Sequence, residues 1–348
     1  MRAGVFRGNK HIAVEDVPDP QPSPDGVVLK VSACGICGSD LHSYTHGSWI
    51  QPGQIMGHEF SGEVVEVGDA VEGIAEGDRV TALPLVACGR CPRCLEGNPH
   101  LCETGLAASI AYGLPGAFAE YLHVPKAVLG GSVFRLPDEV SATEAALVEP
   151  LSVAVHAVKS ASPKPSDVAV VIGLGSIGQN VAQALKAMGA AKVIGIDVAP
   201  KRLETAAQLG TDVVVNGRDT DPLEEVREVV GPGAYGAGAR ADIVIETSGV
   251  PALLNQAVQM VRPGGTVRVV ALYDEPVPLD VNAIVQKELD FRGSFGYRGE
   301  FPEAIELIRS GRVRVAPLVT HTFSLEQVSQ AFEAQMSKDE SVKVIVQP

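Results

Sequence analysis

Residues 168–185 read VAVVIGLGSIGQNVAQAL. The first seven, VAVVIGL, are a continuous apolar run that ends in glycines, as a buried strand does. NVAQALKAMGA then carries its apolar residues at helical spacing. Between them Gly173, Gly175 and Gly178 form G-x-G-x-x-G, which carries weight only in this strand-to-helix setting. There Gly173 permits a tight turn, Gly175 lets a pyrophosphate approach the backbone, and Gly178 lets helix and strand pack closely. Ser176, Ile177 and Gly178 open the helix, whose free N–H groups would face the phosphates. Asp197 ends the next apolar run, KVIGIDV, at the spacing expected of an acid that binds ribose hydroxyls. Its carboxylate would repel a 2′-phosphate, which favours NAD over NADP. Arg202 is placed to pack on adenine or meet a phosphate. The blander alternatives are a glycine turn that binds no nucleotide, and an Asp197 that merely caps a helix or ends a strand.

Outward from this stretch, strand and helix alternate. KRLETAAQLG reads as helix, and TDVVVN, ADIVIETSG and GTVRVVALY as further buried strands. That alternation predicts an α/β, doubly wound parallel sheet with crossover helices. Residues 1 to about 150 differ. GVVLKVSACGICG, FSGEVVEVGDAV and DRVTALPLV are short β-type runs separated by turn signals such as PDPQPSPDG and VEGIAEGD. The pattern changes near Pro163. From about Ser294 come an amphipathic helix (FPEAIELIRSG), a short strand region and a second helix (SLEQVSQAFEAQ). No internal repeat or low-complexity segment stands out.

With 348 residues the chain can bury two full cores. A formal net charge of −14 and the lack of a basic run exclude nucleic-acid binding by counterion release. The N-terminal MRAGVFRGNKHIAVEDV holds no signal-peptide core, and no apolar run reaches membrane-spanning length. No membrane partner is expected, and the cytoplasm is the expected compartment. There, clustered cysteines point to metal or redox chemistry before disulfides.

Four of the six cysteines lie in CGRCPRCLEGNPHLC, residues 88–102. Cys88, Cys91, Cys94 and Cys102 are separated by gaps of two, two and seven residues. Two-residue gaps aim neighbouring thiolates at one ion, and four thiolates close a tetrahedral zinc shell. Such a shell leaves no position for substrate, so it organises a loop. An iron–sulfur cluster uses the same ligands. Two other stretches, ACGICGSDLH (33–42) and GHEFSG (57–62), offer mixed ligands, with Cys37 and His58 the natural pair. A third ligand must come from far along the chain, and EPLSVAVHA offers Glu149.

CGICGSDLH, GHE, the four-cysteine lobe, EPLSVAVHA and GLGSIG, in that order, resemble the zinc-dependent medium-chain dehydrogenases along essentially the whole chain. The resemblance implies a Rossmann NAD-binding domain at 154–293. It also implies a mainly β, GroES-like catalytic domain at 1–153 and 294–348, with the structural-zinc lobe at 88–102. It implies two zincs per chain. Cys37, His58 and Glu149 would hold the catalytic one, and Glu59 would join them or sit behind the metal. Cys88, Cys91, Cys94 and Cys102 would hold the other. Ser39 and His42 are the family's proton-relay positions, and Asp40 would orient the His58 ring. Cys34 is expected to be a small buried residue; His46, His100, His123, His156 and His321 are left as structural or surface residues. Tyr44, Trp49 and Phe118 flank the zinc motifs, as pocket walls or ordinary core.

A glutamate at 149 resembles the polyol branch, and GSFGYRGEFPEAIELI (293–308) looks most like the 2,3-butanediol dehydrogenases. Sorbitol dehydrogenases carry an arginine near Gly296, and its absence speaks against sorbitol. The expectation is a zinc-dependent, NAD-dependent dehydrogenase of secondary alcohols or vicinal diols. A sugar-alcohol or threonine dehydrogenase is the alternative, and a non-enzymatic nucleotide-binding protein the reading from another class. A homodimer or homotetramer is implied.

Overall fold

The computed structural model describes residues 1–47, 49–233 and 238–348. β1 (Arg2–Gly8) and β2 (His11–Asp16) form an antiparallel hairpin. β3 (Val27–Gly35), β4 (Glu59–Val67), β5 (Arg79–Ala82), β6 (Tyr121–Val124) and β7 (Val133–Arg135) follow. Next come β8 (Val168–Ile172), β9 (Lys192–Asp197), β10 (Val213–Asn216), β11 (Ala241–Glu246), β12 (Val261–Val269) and β13 (Asp290–Gly293). β14 (Val319–Ser324) and β15 (Lys343–Gln347) end the series.

β8 to β13 form one parallel sheet in the order β10-β9-β8-β11-β12-β13. The order reverses between β8 and β11, and that is where a doubly wound sheet opens a crevice at its carboxyl edge. Both faces of β8 are buried. Ala169 and Val171 point into one core, Val170 and Ile172 into another, so the strand reads as an unbroken apolar run. The glycine turn therefore sits at the topological switch point.

The other large sheet runs β14-β15-β3-β4-β5-β7, with β6 paired to β3. Its apolar alternation is plain in β3, where only Lys30 and Ser32 leave the core. The tail joins this sheet. β15 lies parallel to β14 and antiparallel to β3, pairing Ile345 with Gly35. The Val148–Ala161 helix packs against the Ser176–Ala187 helix of the parallel sheet and the Phe301–Arg309 helix of the tail. The division implied at 153/154 falls inside this helix. Among the described residues no helix is long and apolar enough to cross a membrane.

Two local outcomes differ from the sequence reading. GVVLKVSACGICG does not stay extended: β3 stops at Gly35 and a helix, Gly38–His46, begins at once. Cys37 takes an extended conformation at its N-cap, and the Asp40 carboxylate accepts the Cys37 N–H at 2.9 Å. SLEQVSQAFEAQ starts as a tight turn, Leu325–Gln327, before the Val328–Met336 helix.

Candidate active site

β3 and β4 pair Gly35 with Glu59, so the end of one strand lies beside the start of the other. Cys37 follows the first strand and His58 precedes the second. Cys37, His58 and Glu59 consequently each present a ligand atom within 4.8 Å of the other two. The thiol sits at the N-cap of the Gly38–His46 helix. The Asp40 carboxylate lies 3.6 Å from His58 Nδ1, and Ser39 Oγ lies 3.4 Å from Nε2. The Tyr112 hydroxyl donates to Ser39 Oγ at 2.9 Å. Burial pushes Tyr112 up to about 12, so it stays a donor.

Glu59 is wholly buried, and its charge is met from the far end of the chain. Lys343 Nζ on β15 donates to Glu59 Oε2 at 2.6 Å and to the Ile36 carbonyl at 2.9 Å. Gly35 makes room for this: a Cβ there would lie 2.2 Å from Glu59 Oε2. Glu149, on the first turn of the Val148–Ala161 helix, is buried too and stands outside the trio. Burial pushes its carboxyl up to about 7, with His58, Glu59, Lys343 and Tyr297 as its electrostatic neighbours.

This pocket suits a metal cation. Glu59 Oε1 is buried without a hydrogen-bond partner, an arrangement native interiors avoid. Burial works to lower the His58 pKa, yet Tyr112, Asp40 and Cys37 outweigh it and hold the value well above the ordinary one. A site that pulls a buried imidazole toward its charged form is electronegative. One thiolate, one imidazole and carboxylates are donors zinc accepts while keeping a position open.

The second cluster is closed. Cys88, Cys91, Cys94 and Cys102 gather with their sulfurs within 4.8 Å of one another, all as free thiols. Cys91 Sγ lies 3.5 Å from Cys94 Sγ and 3.9 Å from Cys102 Sγ. Zinc–sulfur bonds of about 2.3 Å set tetrahedral sulfurs about 3.8 Å apart, so the spacing fits one ion. Iron–sulfur clusters distribute their thiolates over several irons and need a wider cage. The N–H groups of Cys88 and Thr104 hold the Cys102 thiol down at about 6, while burial and the neighbouring Cys91 push Cys94 up to about 12.

At the glycine turn, Gly173 has φ +87°, and a Cβ there would meet Ser248 Cα at 2.8 Å. A Cβ on Gly178 would lie 1.8 Å from the Gly173 carbonyl oxygen. Gly175 is different: its Cβ would meet nothing closer than Arg202, at 3.8 Å. The protein itself does not require glycine there, and the absent side chain leaves open space over the turn. Ser176, Ile177 and Gly178 present the first N–H groups of the Ser176–Ala187 helix. Asp197 Oδ2 accepts the Leu174 N–H at 2.6 Å, and Oδ1 accepts those of Val198 and Ala199. Arg202 lies over Gly175, and its Nε donates to the Ser341 carbonyl at 3.2 Å.

Residues 23–138 match the family model for the alcohol dehydrogenase GroES-like domain, and residues 176–310 that for zinc-binding dehydrogenases. The chain is 38% identical to a sorbitol dehydrogenase of Bacillus subtilis over 100% of its own length and 97% of that protein. The chain belongs to the zinc-dependent medium-chain dehydrogenases. The (R,R)-butanediol dehydrogenase of Bacillus subtilis is 36% identical, with both chains covered over 100%. The crystal structure of 2R,3R-butanediol dehydrogenase from Bacillus subtilis superimposes with a TM-score of 0.88 at 35% identity, covering 100% of this chain and 99% of that one.

As a zinc-dependent alcohol or polyol dehydrogenase using NAD, the protein has further residues at its site that the sequence reading did not name. Lys343 was signalled by a lysine opening the otherwise apolar KVIVQ, and Tyr297 by its place in GSFGYRGEF. Tyr112 and Asp274 come from loops with no local signal. Asp274 Oδ1 lies 3.0 Å from His42 Nδ1, and the Trp49 ring packs 5.9 Å from His42. Tyr44 and Phe118 are not pocket walls; both pack on Phe332 in the core. Cys34 is buried, as a small core residue. The His100 ring meets that of His156 edge-on, and His156 Nδ1 lies 3.2 Å from Glu300 Oε1 in the tail.

Proposed function

We propose that this dehydrogenase oxidises secondary alcohols and vicinal diols of butanediol size to their ketones with NAD. The observation that carries the reading is the electronegative trio of half-buried Cys37 with buried His58 and Glu59, beside the paired hydroxyls of Ser39 and Tyr112. Cys37, His58 and Glu149 are the proposed ligands of a catalytic zinc, and Cys88, Cys91, Cys94 and Cys102 those of a structural one, two per chain. Zinc bound there supplies a Lewis acid that polarises a hydroxyl. Balance requires a hydride to pass from the carbinol carbon to NAD and a proton to reach solvent. Ser39 Oγ takes that proton and His42, partly exposed, hands it on. The Tyr112 O–H, by donating to Ser39 Oγ, leaves the serine's own proton free to point the other way. Asp40 keeps the His58 ring turned. Glu59, with Oε2 held by Lys343 and Oε1 unpartnered, acts from behind and exchanges with water or substrate.

Gly173, Gly175, Ser176, Ile177 and Gly178 receive the pyrophosphate, Asp197 the adenosine ribose, and Arg202 a neighbouring phosphate. Residues 1–153 and 294–348 serve as the catalytic domain and 154–293 as the nucleotide domain. Six free cysteines support a reducing, cytoplasmic setting. A homodimer or homotetramer is proposed. Among the described residues β13 ends the parallel sheet with an unpaired edge, and Val281 and Val285 stand exposed on the Val281–Gln286 helix that leads to it.

A sugar alcohol is the second reading, favoured by the likeness to a sorbitol dehydrogenase. Gly296, at φ +59°, offers no side chain for a longer polyol. Rates of NADH formation with 2,3-butanediol, 2-butanol, sorbitol and L-threonine test both. The diol should give the highest kcat/KM. Preference for sorbitol would install the second reading, and no turnover of any would overturn the first.

A further inference from the structure

We propose that His42, His46 and Asp274 form a divalent transition-metal site that ties the two domains together and switches off the proton relay. His42 and His46 are four residues apart on the Gly38–His46 helix, which puts both imidazoles on one face. Their ring centroids are 6.2 Å apart. Asp274 reaches across from the loop after β12, in the other domain, and its Oδ1 lies 3.0 Å from His42 Nδ1. All three residues offer ligand atoms within 4.8 Å of one another. Two imidazoles and a carboxylate are donors that zinc, nickel and copper accept. The group is open to arriving ions: Asp274 is 63% exposed and His42 28%. The Trp49 ring beside His42 restricts how far that imidazole can swing away.

Two consequences follow from the geometry. A ring nitrogen of His42 that binds a metal cannot accept and pass a proton. A metal held by two ligands from one domain and one from the other also resists their separation. Excess zinc therefore inhibits the loaded enzyme from a site distinct from the resident ions. The inhibition rests on the relay role proposed above for His42; the binding does not.

The test titrates the fully zinc-loaded enzyme with further Zn²⁺ in a non-chelating buffer. Bound metal is counted after equilibrium dialysis, and diol oxidation is followed in parallel. One additional zinc per chain is expected, with activity falling as it binds. His46→Ala should keep the rate seen without added zinc, and should need at least about tenfold more zinc both to bind and to be inhibited. Asp274→Ala should weaken binding likewise. Copper in place of zinc should show two coupled nitrogens in its electron paramagnetic resonance spectrum, and only one in His46→Ala. Equal zinc affinity in wild type and His46→Ala overturns the site. Binding lost in His46→Ala, with wild-type activity indifferent to occupancy, leaves the site standing and overturns both the switch and the relay role of His42.

Discussion

Lys343 is the residue that most changes the view of the pocket. A lysine on a core strand costs desolvation, and burial indeed pulls its pKa down; Glu59 and Cys37 more than restore it. The pair it makes with Glu59 is almost wholly shielded, so removing one partner strands the other. Lys343→Met should destabilise the protein by about 3–5 kcal/mol, while Lys343→Met with Glu59→Gln should recover most of that loss. Urea denaturation of the zinc-loaded single and double variants measures the cycle. Equal stability of Lys343→Met and wild type would show that Glu59 is satisfied elsewhere. The pair also bears on what Glu59 can do. An oxygen committed to Lys343 is withheld from any metal, leaving one oxygen to move.

At the scale of elements, the glycine turn and Asp197 act as one unit. Asp197 braces the turn through the Leu174 N–H before any cofactor arrives. Asp197→Ser should thus loosen the turn as well as remove the carboxylate proposed to hold the ribose. It should weaken NAD by about tenfold or more, and NADP should improve only when an arginine is added nearby. Cofactor dissociation constants from protein fluorescence quenching settle this, and a wild type that prefers NADP would refute the role of Asp197. The turn was readable because its function is local: strand, glycines and helix adjoin in sequence. The cysteine lobe was readable for the same reason. So were CGICGSDLH and GHE, whose meeting needs only the β3–β4 pairing. Lys343, Tyr112, Tyr297 and Asp274 were not read, because each reaches the site through packing between distant elements. The helix at Gly38–His46 was not read because a side chain, Asp40, caps its start by taking the Cys37 N–H. Tyr44 and Phe118 stayed open between pocket wall and core, because nearness in sequence to a ligand says nothing about which way a ring points.

For the whole molecule, the two metal clusters differ in how they close. Four sulfurs gather at one, whereas the other mixes a thiol, an imidazole and a carboxylate. Gentle chelation should strip one zinc and all activity first, and the second only with loss of the fold around 88–102. Metal analysis along a chelator time course tracks the order; simultaneous release would contradict it. β15 adds a matter of timing. Glu59 and Lys343 are 284 residues apart, and at about 5–20 residues per second a ribosome needs roughly 15–60 s to make that span. Throughout that interval the nascent chain already holds Cys37, His58 and Glu59. The Cys34–Gly35 end of β3 has no β15 beside it, and Glu59 has no lysine. The growing polypeptide thus presents these side chains well before the strand that completes their surroundings exists. The partner of the Glu59 carboxylate arrives only with the C-terminal strand.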